Sequence, residues 1–388
     1  MHICFITNEF PKPGYPHGGI GTFIATLSKV LIEKGIEVSV VGKNYIPQED
    51  RGFVNGVNVY RLHTKKINGL EWYFNTQVIA KKIEAIHLES PIDIVEAADM
   101  GLAFLPKLKG IAYVIRMHGG HHFFAESEKR KIGIWKGFQE RMSYKKADAF
   151  VAVSDYVKAH TSKYLSLKNR RIKRINCPIN LDHFCPIKGA SIPFKIVFVG
   201  TVCEKKGIRQ LIQSMAHVLK KSPEATLDIY GRDWLYPNGD SYIEMLKASE
   251  IPKLNDDSNR VTFKGVIDYS ELPKVYAGAH VCVFPSHMET LGLVAPEAMC
   301  MAKPVIFTKE GPGPEVIRHG NTGLLCNPYD PSDIAKQIKW VFDHPKAANE
   351  IGINARESVL ERFNINMIVW QNIAFYDRIN NSNKPLIV

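Results

Sequence analysis

Val281 to Phe307 reads VCVFPSHMETLGLVAPEAMCMAKPVIF, and the parsing of this stretch decides the fold. VCVF and PVIF are short runs of β-branched and aromatic residues, bounded by proline, as buried strands are. His287 to Gly292 reads as a loop and Leu293 onward as a helix. Strand, loop, helix, strand is the unit of a parallel sheet, because a long crossover is what returns the chain to start its next strand in the same direction. The loop and the helix carry two acids, Glu289 and Glu297, with seven residues between them and no other charge.

The same rhythm runs through the whole chain. In the first half HICFIT precedes TFIATLSKVLIEKG, and VSVVG follows. DIVEAAD precedes MGLAFLPKLKG, AYVIRMHG precedes a long helix through Lys146, and AFVAVS precedes DYVKAHTSKYL. After RRIKRINCPINLDHFCPIKGASIP the pattern starts afresh with FKIVFVG and KKGIRQLIQSMAHVLKK, then ATLDIYG, RVTFKG, HVCVFPS, KPVIFT and GLLCN. Strand–helix alternation predicts α/β domains with doubly wound parallel sheets covered on both faces. The proline-containing, patternless join near 186–193 divides them into 1–187 and 188–364. The amphipathic NINMIVWQNIAFYDRI, within about 365–388, is expected to pack back on the first domain as a helix. A chain of 388 residues suits two domains.

Composition narrows the class. With 45% hydrophobic and 23% charged residues and no apolar run of about 18 residues, a soluble, cytoplasmic globular protein is expected. MHICFITNEF meets an acid and a proline before a signal-like core forms. The seven cysteines are scattered with no CxxC spacing, which reads as reduced thiols and no zinc site. Charge is uneven: residues 1–187 hold 27 Lys and Arg against 17 Asp and Glu, and residues 188–388 hold 23 against 22. The formal net charge of +11 thus belongs almost wholly to the first half, and the two domains are expected to meet different partners.

Ligands of open parallel sheets bind outside the carboxyl ends of the strands, and with two such domains the expected site is the cleft between them. The opening stretch lies at one strand-to-helix loop. Unpaired N–H groups at the helix start favour an anion, and Gly292 leaves room for close approach. Two acids flanking a phosphate site suit a molecule with hydroxyls on both sides of a diphosphate. A nucleotide sugar is such a molecule.

From Glu289, ETLGLVAPEAMCMAKPVI resembles the E-x7-E signature of the retaining glycosyltransferases of family 4, which have the GT-B fold of two facing Rossmann-like domains. PHGGIGTFIATLSKVLIEKGIEVSVV resembles the family's glycine loop after the first strand. His118, in RMHGGHH, sits where the family carries a histidine near the donor sugar. CPINLDHF resembles the segment entering the second domain, FVGTVCEKKGIRQLI the phosphate-binding strand and loop, and KGVIDYSELPKVYAGAHVCVFPS the base-binding region. A single E-x7-E is weak, but five elements in order over essentially the whole chain are specific.

The resemblance implies that Glu297 binds the ribose hydroxyls and that Glu289 contacts the donor sugar, with the amides of Leu291, Gly292 and Leu293 nearby. Lys206 would pair with the diphosphate as leaving group, Ile267 would offer backbone hydrogen bonds to the base, and His118 would hydrogen-bond the sugar. Gly18 and Gly19 would approach the diphosphate from the opposite domain. Thr201 stands where the family has arginine, five residues before the lysine, and leaves open whether Lys205 or Arg209 supplies the missing cation. The leaving group's charge must be offset by a metal or by cations and amides. NDDSN (255–259) reads as adjacent acids in a polar loop, so no metal and no other cofactor is expected.

The resemblance further implies transfer with retention, with the leaving phosphate helping to deprotonate the acceptor. The expected donor is a UDP-sugar, and the expected acceptor is a saccharide or lipid-linked molecule of surface-glycan synthesis. No nucleic-acid partner is expected. EKRKIGIWKGFQERMSYKK reads either as a solvated helix face or as a surface beside anionic lipid on the inner membrane face.

The alternatives are a GT-B sugar-nucleotide epimerase or a glycosyltransferase with a soluble acceptor. A two-carboxylate glycoside hydrolase would need neither the glycine loop nor the lysine. Taken alone, Glu297 also suits the start of a helix through the dipole, and His118 suits a polar strand end. His121 and His122 read as loop surface rather than metal ligands. GGIG fails as a dinucleotide fingerprint, since Ile24 takes the last glycine's place.

Overall fold

The β-branched runs form an eight-stranded sheet in the first half and a six-stranded one in the second, in a computed structural model that describes every residue except 16–17, 65–66, 129, 168 and 384–388. The first sheet holds β1 (His2–Ile6), β2 (Glu37–Lys43), β3 (Asp50–Val54), β4 (Val57–Leu62), β5 (Ile94–Ala98), β6 (Ala112–Met117), β7 (Ala149–Ala152) and β8 (Arg171–Arg174), in the order β3-β4-β2-β1-β5-β6-β7-β8. The central strands are buried almost continuously, as strands covered on both faces must be. One pair departs from the parallel pattern. β3 and β4 form an antiparallel hairpin around Asn55-Gly56, whose φ angles are +51° and +85°. That turn is what Asn-Gly between strand-like runs encodes.

The second sheet holds β9 (Lys195–Val199), β10 (Thr226–Tyr230), β11 (Val261–Gly265), β12 (Val281–Phe284), β13 (Val305–Thr308) and β14 (Leu324–Cys326), in the order β11-β10-β9-β12-β13-β14 and parallel throughout. β10 and β11 lie on one side of β9, and β12 to β14 on the other. The strand order therefore reverses between β9 and β12, and the loops after these two strands open the crevice where such sheets bind ligands.

The chain divides into two units: unit 1 is Met1–Pro178 with the terminal segment from Ile365, and unit 2 is Ile179–Asn364. The division falls before CPINLDHF has run its course, not at 187. Ile179 bridges to Asn364, and Phe184 is buried among Tyr269 and Tyr276, so this segment is already committed to unit 2. The terminal helix Ile365–Asn383 packs on the helix Gly19–Glu33 and on β6. Its Asn372 and Tyr376 reach the buried Arg116 at 2.6 and 3.1 Å, and Arg116 in turn pairs with Glu96 at 2.7 and 3.1 Å.

Three segments differ from the strand–helix reading. MGLAFLPKLKG forms turns and a loop, because Phe104 takes a left-handed φ of +59° and Pro106 follows. The long helix through Lys146 is two, His121–Ser127 and Ile134–Lys146. NDDSN lies within the 3-10 segment Ile251–Arg260 rather than in an open loop.

Candidate active site

The loop after β12 gives the Glu289 carboxylate two partners. The buried Ser286 donates its hydroxyl to Oε1 at 2.8 Å, and the Lys206 ammonium reaches the same oxygen. Lys206 arrives from the loop after β9, where Glu204–Lys206 make one 3-10 turn before the helix Ile208–Leu219. Gly207 closes that turn at φ +69°, and a Cβ there would strike the Pro285 carbonyl oxygen. The two loops thus touch through backbone, and the His287 N–H donating to the Lys205 carbonyl at 2.9 Å fastens them further. Close backbone packing is what sets Lys206 beside Glu289.

Beyond Glu289 the chain turns at Gly292, with φ +79°, where a side chain would meet the Phe307 ring. The N–H groups of Leu291, Gly292 and Leu293 find no acceptor among the described residues. Glu297 is the fourth residue of the helix Val294–Cys300 and is 7% exposed. The fully buried Tyr276 donates its hydroxyl to Oε2 at 2.9 Å. Burial pushes the Glu297 carboxyl up to about 7, and the Tyr276 bond pulls it back only in part. Its Oε1 makes no hydrogen bond to the described residues. A buried acid with an uncommitted oxygen has an acceptor to offer a donor from elsewhere.

Ile267 follows β11 half-buried, and its backbone N–H and carbonyl also find no partner among the described residues. Nearby, Tyr269 stacks on His183 at 4.5 Å. Thr201 lies half-buried after Gly200. Arg209 is engaged by two carboxylates, its Nε reaching Glu204 at 3.0 Å and its Nη1 reaching Glu250 at 2.8 Å. Lys205 stands on the same 3-10 turn as Lys206.

Within unit 1, Gly18 caps the helix Gly19–Glu33 and donates its N–H to Glu9 Oε2 at 3.2 Å. A carboxylate of the chain therefore occupies the amide of the N-cap residue, while a Cβ on Gly19 would meet open space. His118 follows β6, half-buried, with its ring 5.3 Å from Phe23 and its N–H donating to Asp99 at 3.0 Å. Burial and then the Arg116 guanidinium push its imidazole well below the usual range, so it is neutral at physiological pH. Such a ring can hydrogen-bond a hydroxyl but carries no charge.

Beneath His118 lies a cluster of acids. Asp99 is pushed up to about 7 by burial and by Glu140, and Tyr144 donates to it at 2.9 Å. The Glu140 carboxylate fills the space where a Cβ of residue 120 would stand, which requires Gly120. His122 donates its backbone N–H to Glu140 at 3.0 Å, and its ring pairs with the same carboxylate. His121 and His122 are thus buried rather than loop surface, because a helix begins directly after Gly120 and draws both rings inward. The His121 Nε2 accepts the Gly133 N–H at 2.9 Å.

Unit 2 thus brings Lys206, Glu289 and Gly292 together in one loop pair, with Glu297 on the helix that follows. Sequence reasoning missed Ser286, Tyr276, Glu9, Asp99 and Glu140. Ser286 sits three residues before Glu289 in PSHMET and was there to be noticed. Tyr276 and Glu140 reach their partners only through tertiary packing and leave no local signal.

Residues 17–183 match the domain described as Glycosyltransferase Family 4, and residues 189–358 the domain described as Glycosyl transferases group 1. Over 96% of both chains, the sequence is 27% identical to an uncharacterized glycosyltransferase of Methanocaldococcus jannaschii. It is 24% identical to the D-inositol 3-phosphate glycosyltransferase of Thermobifida fusca, over 90% of this chain and 86% of that one. Among solved structures, a sucrose-phosphate synthase from Thermosynechococcus elongatus superimposes with a TM-score of 0.84 at 23% identity, covering 98% of this chain and 99% of that one. An Anabaena protein solved with UDP-glucose does so with a TM-score of 0.77 at 19% identity, covering 97% and 100%. At these identities the structural likenesses establish the fold.

Proposed function

This chain belongs to the family 4 glycosyltransferases and has the GT-B fold, and from that premise we propose that unit 2 binds a nucleotide-diphosphate sugar and that the enzyme transfers the sugar with retention. The observation that carries the reading is Glu297: a buried carboxyl with one uncommitted oxygen, just beyond the free amides of Leu291 to Leu293 and the Lys206–Glu289 pair. A ribose diol satisfies the free oxygen. The diphosphate competes with Glu289 for Lys206, and the displaced Glu289 carboxylate is then free to accept donor-sugar hydroxyls. The roles implied by the family resemblance are proposed for Gly18, Gly19 and His118, and Ile267 is proposed to meet the base through its backbone.

In the proposed step the bond between the anomeric carbon and the diphosphate oxygen breaks, and its electron pair leaves with the nucleotide diphosphate. The acceptor oxygen attacks from the same face, and its proton passes to the departing phosphate. Lys206 and the loop amides offset the charge that develops, with no metal ion required. UDP-glucose is the first donor to test, supported by the Anabaena neighbour solved with that molecule. The proposed acceptor is a saccharide or lipid-linked molecule of surface-glycan synthesis, used from the cytoplasmic side.

The test is a panel of nucleotide sugars, with and without saccharide acceptors and in the presence of a chelator. Donors are first ranked by thermal stabilisation, since a ligand at 100 times its Kd stabilises by about 2.7 kcal/mol. Products are then read by mass spectrometry and by the anomeric proton coupling. Transfer with the donor's anomeric configuration is expected. A product that forms without acceptor identifies the epimerase alternative, and inversion or a strict divalent-ion requirement would refute the mechanism.

A further inference from the structure

Unit 1 exposes large apolar side chains in one place. The helix Ile134–Lys146 begins with Ile134 89% exposed, Trp135 46% and Phe138 41%. The start of the helix Glu71–Glu89 adds Leu70 and Tyr73, 49% and 45% exposed. The two segments are joined by ring contacts: Trp135 meets Trp72 edge-on at 5.2 Å, and Phe104 bridges them, tilted against Trp72 at 4.5 Å and stacked on Trp135 at 5.8 Å. Phe104 holds a left-handed φ of +59° to make this bridge, a conformation that bulky residues take only when their surroundings enforce it. The patch is therefore a fixed platform rather than a set of loose side chains, and contiguous exposed apolar surface of this kind marks a contact site.

Its surroundings identify the occupant. Lys131, Lys136, Arg141 and Lys145 are all exposed along the same segment, whereas Glu128 is paired with Arg130 and Glu140 is buried against His122. Along 131–146 the charge that faces solvent is positive, and Glu71 adds one exposed carboxylate beside Trp72. Aliphatic side chains such as Ile134 offer a saccharide nothing to bond, but with aromatic rings and a basic rim they suit the acyl boundary of an anionic bilayer. Topology adds a second argument. The helix Glu71–Glu89 follows β4, and the helix Ile134–Lys146 runs back into the start of β7, so both helix starts lie toward the carboxyl end of the sheet, the same end as His118.

We infer that the platform built on Trp72, Phe104, Trp135 and Phe138, rimmed by Lys131, Lys136 and Arg141, seats unit 1 on an anionic lipid surface and brings lipid-borne acceptors to the His118 end of its sheet. This inference rests on the transferase reading for its acceptor and on the platform alone for its membrane. Lys129, which the charge pattern also points to, lies outside the described residues.

The test is sedimentation of the full chain with phosphatidylglycerol-containing vesicles and with pure phosphatidylcholine vesicles, at low and high salt. Each basic residue near an anionic surface contributes about fivefold to the binding constant. Lys131→Gln with Lys136→Gln is therefore expected to weaken binding about 25-fold, and high salt to weaken it further. Ile134→Ser removes an apolar contact from a side chain that packs on nothing, so it leaves folding intact and still lowers binding. Trp135→Phe reduces quenching of tryptophan fluorescence by brominated lipid, with Trp72 supplying the remainder. UDP-glucose-induced thermal stabilisation, read in parallel, is unchanged in all three variants, so failure of the donor reading and failure of the membrane reading are told apart. The inference is overturned if the protein ignores anionic vesicles at low salt, binds neutral ones equally, or binds undiminished with Ile134→Ser. It is also overturned if sedimentation equilibrium shows a dimer that Ile134→Ser dissolves, since the platform would then be an interface between copies of the chain.

Discussion

Replacing Glu297 by glutamine should stabilise the ligand-free protein at alkaline pH and weaken donor binding in the same solution. The buried carboxyl titrates at about 7 in the folded chain, against about 4.3 for an ordinary glutamate. Between those values the folded state holds a proton that the unfolded state has lost, so stability falls as pH rises through this window. Above pH 7 the ionised carboxylate costs on the order of 3 kcal/mol in the absence of ligand. Glutamine cannot ionise and escapes that cost. The variant should melt near the parent at pH 5 and roughly 5–10 °C above it at pH 8, in the transition belonging to unit 2.

Donor binding should move the opposite way. If ribose hydroxyls donate to the ionised carboxylate, affinity for UDP-glucose, which does not titrate in this range, falls about tenfold from pH 8 to pH 6 in the parent. In Glu297→Gln it is weaker at pH 8 and nearly flat with pH. Calorimetric titration and melting curves on both proteins at three pH values supply the data. A stability difference that does not change with pH, or parallel affinity profiles, would refute the assignment of this carboxyl as a donor-binding group held at an energetic cost.

Three further perturbations follow. Lys206→Met strands Glu289 with only Ser286 as partner, and because the pair is partly exposed the expected loss is about 1–3 kcal/mol, recorded as a lower Tm, together with a heavy loss of transferase turnover. Thr201→Arg restores the cation that the family resemblance places there and should tighten nucleotide-diphosphate binding as measured by calorimetry; weaker binding would mean that the half-buried pocket has no room for it. Arg116→Met leaves Glu96 buried with only Tyr376 and should cost about 3–5 kcal/mol, while Tyr376→Phe costs about 1–2 kcal/mol; denaturant unfolding that shows neither would contradict the docking of the terminal helix on unit 1.

The parallel sheets were legible because strands buried on both faces leave unbroken apolar runs such as VCVF and KIVFV, and the loop carrying Glu289 was legible because its acids stand in an otherwise uncharged stretch. Misreadings arose where a local pattern yields to packing. MGLAF looks helical, but Phe104 is drawn into a ring cluster at the expense of its backbone geometry. His121 and His122 look like surface residues until Glu140, eighteen residues on, folds beneath them. The Asn55-Gly56 hairpin was encoded locally and passed over, because the strand–helix rhythm had no place for it. In the site, Lys206 and Glu289 were read as separate contacts to one ligand. Their pairing depends on the backbone contact at Gly207 and Pro285, which no spacing in the sequence reveals.

The division of labour between the two acids is the centre of this account, and calorimetric titration of UDP and UDP-glucose into the parent, Glu297→Ala and Glu289→Ala tests it most directly. Charged hydrogen bonds to ribose are worth about 1.5–3 kcal/mol each, so Glu297→Ala should weaken UDP binding about 10- to 150-fold. Glu289→Ala should leave UDP as tight as before or tighter, since Lys206 is released to the diphosphate, while UDP-glucose loses its advantage or its transfer. Equal losses for the two variants on UDP alone would contradict the account.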